Sequence, residues 1–171
     1  MMTIEFNDYA KDIDLNLSNI FNEDSNSDLK INQIYTIALA SAYATKNQNL
    51  VDYVLLQANG NIAENEIQAA KESATIMAMN NIYYRFVHLS SDKDYSQMPA
   101  RLRMNVIARP SVDKTDFELY SLAVSAINGC GMCIDSHRDQ LEKNGISKNA
   151  IQDTIRIASI INAVATALFI G

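Results

Sequence analysis

The sequence predicts an all-α fold in one domain, and three observations carry that expectation. Five glycines and two prolines in 171 residues leave too few turns for an assembly of many short strands. A composition of 48% hydrophobic and 20% charged residues is that of a globular chain with a buried core. Along most of its length the apolar residues recur three and four apart, which is the helical period. One core is expected at this length, because two independent domains would each be small.

Near the N-terminus, Ile13, Leu17, Ile20 and Phe21 keep helical spacing and predict a helix ending near Asn22. After "NEDSNSD", Ser27 is the expected cap of a second helix from Asp28 to Lys46, with Ile31, Ile34, Tyr35, Ala38 and Ala42 on one stripe. "LVDYVLLQANG" reads as a short helix stopped by Gly60. "ENEIQAAKESATIMAMNNIYYRFVHL" reads as a long, largely buried helix, with His88 a helix-end histidine of no assigned role. Residues 91–112 hold both prolines and scattered charge, so a connector with at most one short helix is expected. Three helices follow: Thr115 to Asn128, Cys130 to Asn144 before Gly145, and Ser147 to about Phe169. "TDFE" is a capping-box pattern, in which Thr115 caps and Glu118 reaches back to the cap N–H.

The two halves resemble one another. "QIYTIALASAYAT" (33–45) lies over "ELYSLAVSAINGC" (118–130), and "IAENEI" matches "ISKNAI" further on. A degenerate first repeat over 28–90, the connector 91–112 and a second repeat over 113–171 are expected within the single domain 1–171. Thr45, Gln48 and Asp52 stand where the second repeat has Cys130, Cys133 and His137, so chemistry is expected in the second alone.

A net charge of -6 and a pI near 4.8, with no basic run, weigh against a phosphate-binding surface, so no nucleic-acid partner is expected. The start has no positive n-region leading into an apolar stretch, and Ile157 to Ile170 is short for a bilayer and holds Asn162. A soluble, cytoplasmic chain with no membrane partner is the expectation.

Both cysteines lie in "GCGMCIDSH" (129–137). Helical spacing puts Cys130, Cys133, Ile134, His137 and Leu141 on one stripe. Free cysteine is often simply buried, so this stripe can be core. Three features favour redox chemistry. Cysteines at i and i+3 are near enough to bridge, a helix start stabilises a thiolate, and His137 at i+4 from Cys133 is placed to move a proton. Zinc is the third reading. A structural zinc site wants four ligands, and the usual second Cys or His pair is absent.

"FELYSLAVSAINGCGMCIDSH" resembles the E-x11-C-x-x-C-x-x-x-H signature of the alkyl hydroperoxide reductase D (AhpD) family, within the carboxymuconolactone decarboxylase-like superfamily. The signature falls on Glu118, Cys130, Cys133 and His137. "RLRMNVIA" and "NNIYYR" also look familial, and Met132 stands where many members have His. The resemblance implies a pseudo-duplicated helical fold, a homotrimer and a lipoyl-dependent peroxidase that serves as adaptor to a peroxiredoxin of the AhpC type. It implies that Cys133 attacks peroxide and passes through a sulfenic acid, that Cys130 resolves it as a Cys130–Cys133 disulfide, and that Glu118 and His137 relay protons. The implied reductant is the dihydrolipoyl group of a 2-oxo acid dehydrogenase acyltransferase, with no tightly bound cofactor and no metal. The alternatives are a zinc-binding or interaction module, and a non-redox decarboxylase of the same superfamily.

Overall fold

The computed structural model describes residues 4–22 and 28–171, and among these there is no β-strand. Eight α-helices follow in order: α1 Lys11–Ile20, α2 Ile31–Thr45, α3 Gln48–Ala58, α4 Glu64–Leu89, α5 Asn105–Ala108, α6 Lys114–Ile127, α7 Gly131–Lys143 and α8 Lys148–Ile170. The all-α expectation holds. Short 3-10 turns precede α1 and follow α4.

Two helices form the centre. Every residue of α2 from Gln33 to Ala42 is buried, as is every residue of α6 from Phe117 to Ser125. A helix with no polar face must be covered on all sides. Accordingly α2 packs against α3, α4, α6 and α8, while α6 packs against α2, α4, α7 and α8. Fully buried Ile34, Leu39, Phe117, Leu122, Ile157 and Ile161 meet in this core. Each such side chain contributes roughly 1.5–3 kcal/mol by leaving water.

The helix ends follow local chemistry. Ser147 caps α8 by accepting the Ala150 N–H at 3.1 Å, and Asn47 caps α3 by accepting that of Leu50 at 3.1 Å. Asn59 and Gly60, at φ 35° and 86°, end α3 in the left-handed conformation that glycine adopts without strain.

Several expectations need correction. α2 starts at Ile31, where the Gln33 side chain accepts the Lys30 N–H at 2.8 Å; the expected cap Ser27 lies outside the described residues. "TDFE" is not a capping box, because Asp113 caps α6 through the Thr115 N–H at 2.8 Å. Glu118 therefore sits too deep in the helix to reach back, and is turned inward. Nor is α4 largely buried. It hides a stripe from Ala69 through Asn81, while Ile82, Phe86 and Leu89 are exposed. Ile157 to Ile170 is the later part of α8, which as a whole is long and apolar enough to cross a membrane. Its apolar stripe of Ile157, Ala158, Ile161 and Val164 is buried in the bundle, as a core helix's is.

The turn between α6 and α7 positions the cysteines. Gly129 holds φ 68°, and the Cys130 N–H donates to the Ser125 carbonyl at 3.1 Å. From α4, Arg85 Nη1 donates to the Asn128 carbonyl at 2.7 Å. Asn81 Oδ1 accepts from Asn128 Nδ2 at 2.9 Å, and Asn81 Nδ2 donates to Ser125 Oγ at 2.9 Å. The turn is thus fixed from a neighbouring helix as well as from within.

Candidate active site

The first turn of α7 carries both sulfurs. Cys130 is its N-cap and Cys133 lies one turn in, so their Cα atoms are 5.3 Å apart and a disulfide joins them. That separation falls within the range a disulfide spans. The Cys133 N–H donates to Cys130 Sγ at 3.3 Å, which gives the cysteine sulfur the place a serine oxygen takes in an ordinary cap. Cys130 is fully buried, whereas Cys133 keeps 7% of its surface. A reagent from solution meets Cys133 first.

His137 follows one turn after Cys133, and its Nδ1 is 2.6 Å from Glu118 Oε2. Both side chains are buried, and they come from different helices. An ionised carboxylate only accepts, so against it Nδ1 carries the hydrogen and Nε2 is left to take or give a proton. Glu118 thereby fixes the ring's tautomer and its orientation together. Leu141, fully buried a turn beyond, anchors α7 into the core.

Cys133, Glu118 and His137 line a cavity of about 270 Å³ with Met132, Ser136 and Gln140 of the same helix region. The facing wall comes from Met77, Asn80 and Tyr84 of α4 and from Met104 and Ile107 around α5. "NNIYYR" and "RLRMNVIA" thus both reach the site, which the sequence left without assigned roles. Three methionines give the cavity a pliable, apolar lining. The four residues that the resemblance named lie together, Cys130 bridged to Cys133 and His137 hydrogen-bonded to Glu118.

Other candidates fall elsewhere. His88 is in the last turn of α4 and is not among the residues that line this cavity. Thr45 ends α2, and Gln48 Nε2 donates to Asp52 Oδ1 at 2.8 Å on an exposed stretch of α3. Among the described residues, no group of three or more His, Cys, Asp or Glu side chains is placed to hold a metal ion.

Residues 93–169 match the carboxymuconolactone decarboxylase family model, which spans the connector from its 3-10 turn through nearly all of α8. The chain is 56% identical over 158 residues to an alkyl hydroperoxide reductase AhpD of Coxiella burnetii, covering 92% of this chain and 89% of that protein. It is 55% identical over 161 residues to an alkyl hydroperoxide reductase AhpD of Brucella canis, covering 94% and 90%.

The chain belongs to the AhpD family.

An AhpD protein of Rhodopseudomonas palustris is 54% identical over 164 residues, covering 96% of this chain and 89% of that one. Similarity to AhpD proteins therefore reaches well beyond the segment that the family model matches, and takes in α2, α3 and α4. The cavity wall built by α4 lies outside that segment, so AhpD membership, rather than the broader family, is the relevant frame for this site. The resemblance read from Glu118, Cys130, Cys133 and His137 is borne out.

Proposed function

We propose that this chain is an alkyl hydroperoxide reductase that cycles between a dithiol and the Cys130–Cys133 disulfide. The observation that carries the reading is one arrangement: two bridged cysteines in a helix's first turn, with a buried Glu118–His137 pair against the same cavity. In the reduced chain the Cys133 thiolate attacks the terminal oxygen of a hydroperoxide. The O–O bond breaks, Cys133 becomes a sulfenic acid, and the leaving oxygen takes a proton and departs as an alcohol. The Cys130 thiol then displaces water from that sulfenic acid and forms the disulfide. This limits further oxidation of Cys133.

A dihydrolipoyl group restores the pair. One of its thiolates attacks the more accessible Cys133 sulfur, and Cys130 leaves as a thiolate at the N-terminus of α7, where free N–H groups stabilise negative charge. The second lipoyl thiol closes the lipoyl disulfide and frees Cys133. His137, steadied by Glu118, carries protons in both directions. The expected donor is a lipoylated 2-oxo acid dehydrogenase acyltransferase, and the expected acceptor of electrons is a peroxiredoxin of the AhpC type, whose disulfide the reduced chain opens. The names of the relatives support the reduction of alkyl hydroperoxides in this scheme. The proposal extends to a cytoplasmic homotrimer, the assembly that the family resemblance implies. The helix order α2–α3–α4 and α6–α7–α8, with comparable lengths, supports descent from a duplicated unit in which the second half keeps the thiols.

The test is anaerobic mixing of the oxidised protein with dihydrolipoamide, followed by tert-butyl hydroperoxide or an oxidised AhpC-type peroxiredoxin, with thiols counted at each stage. Cys130→Ser and Cys133→Ser each abolish turnover, while Glu118→Gln and His137→Gln slow it by about 100-fold, the usual worth of general acid–base help. Full turnover by the double cysteine variant sinks the proposal.

A further inference from the structure

Asn80 faces the cavity from α4 in a wall that is otherwise largely apolar, between Met77 and Tyr84 and opposite Cys133 and His137. It is 5% exposed, and its Oδ1 is buried without a hydrogen bond. Its Nδ2 makes no hydrogen bond to another described residue and, unlike Oδ1, is not fully enclosed. The next residue, Asn81, is satisfied at both ends by Ser125 and Asn128. A buried, unpaired amide is destabilising, and at a position that only had to pack, a leucine or methionine would serve better. Binding cavities, by contrast, place a few polar groups in apolar walls to orient what enters.

We propose that Asn80 binds the substrate of the peroxide-reducing step: its carboxamide hydrogen-bonds the –O–OH group and turns it toward the Cys133 sulfur. This inference rests on the peroxidase reading above. A hydroperoxide offers one O–H donor and oxygen acceptors, and a carboxamide offers the complementary acceptor and donors. The terminal amide torsion is broad and two-fold, so either end of Asn80 can turn to the ligand. With Oδ1 accepting the hydroperoxide O–H, Nδ2 donates to the oxygen bearing the organic group. Negative charge grows on that oxygen as the O–O bond breaks, and the donor stabilises it until a proton arrives. The organic group lies against Met77, Met104, Ile107 and Met132. A dithiol presents only weak S–H donors, so Asn80 contributes little when the disulfide is reduced. The residue therefore acts on one half of the cycle.

The experiment measures the two half-reactions separately by stopped flow. Reduced protein is mixed with tert-butyl hydroperoxide and its loss of thiols followed; oxidised protein is mixed with dihydrolipoamide and its gain followed. In Asn80→Leu, close in size but unable to hydrogen-bond, the first rate constant falls about tenfold and the second stays within about twofold. Asn80→Ala shows the same split. Equal slowing of both half-reactions, with or without a lower melting temperature, overturns the proposal, as does an unchanged rate with hydroperoxide. If wild-type reduced protein itself is inert to hydroperoxide, the peroxidase reading fails and the role of Asn80 with it. If wild type reacts and Asn80→Leu matches it, the role of Asn80 fails alone.

Discussion

In Asn81→Ala, a fully buried amide that bonds at both ends is removed from beneath the turn that carries the cysteines. Two hydrogen bonds of 2.9 Å are lost, one from Asn128 Nδ2 and one to Ser125 Oγ. Asn128 is partly accessible and can recruit water, whereas Ser125 is fully buried and can turn only to protein groups. At about 1 kcal/mol for each bond, plus the cavity that the lost atoms leave, the cost comes to roughly 2–4 kcal/mol. For a chain of this size that lowers the melting temperature by roughly 5–15 °C. The Arg85 bond to the Asn128 carbonyl remains, so the turn loosens without being released. Scanning calorimetry gives the stability change, and hydrogen exchange at residues 128–130 locates it. Asn65→Ala is the control, since its exposed 3.4 Å bond to the Ser111 carbonyl is worth little. A melting temperature within about 2 °C of wild type, or faster exchange spread over α1 and α3 instead of the turn, refutes the assignment.

Two further predictions follow from single residues. Gly129→Ala places a Cβ at φ 68° with only Arg85 Nη1 near it, at 4.0 Å, so its cost is conformational and not steric: about 1–2 kcal/mol in urea unfolding, with Gly129→Asn closer to wild type. Tyr120 of α6 is fully buried with no hydrogen-bond partner for its hydroxyl among the described residues, and burial first, then the nearby Asp116 charge, pushes its phenol well above the ordinary 10.0. The folded chain therefore holds this proton more tightly than the unfolded chain, so the stability it confers is complete below pH 10 and lost as pH rises through the folded pKa. Melting temperatures of wild type and Tyr120→Phe should diverge above about pH 10, with the variant falling less steeply.

Much of the fold was legible because helices announce themselves locally. The periods of α6, α7 and α8 and the start of α8 at Ser147 are short-range features, and the structure keeps them. Cys130, Cys133 and His137 were legible for the same reason, since one helix carries all three. Glu118 was not. Its own neighbourhood suggested a cap, and only the packing of α6 on α7 turns it toward His137. The wall of Met77, Asn80 and Tyr84 was harder still. These residues approach the cysteines across the bundle, and an asparagine that faces a cavity looks, in sequence, like one that faces water. The depth of α4 was overstated because its many alanines and aliphatic residues do not all lie on one side.

Residues 80–85 of α4 serve two masters at once. Asn80 and Tyr84 face the cavity, while Asn81 and Arg85, one position on, grip the turn before Cys130. Neighbouring positions on a helix differ by about 100°, so inserting or deleting one residue ahead of Asn80 would swing both pairs off their targets together. Point changes here can be absorbed one at a time, but a change of register cannot. Length variation among chains of this architecture should therefore gather in the segment between α4 and α5, where an added residue shifts nothing but the path of a connection.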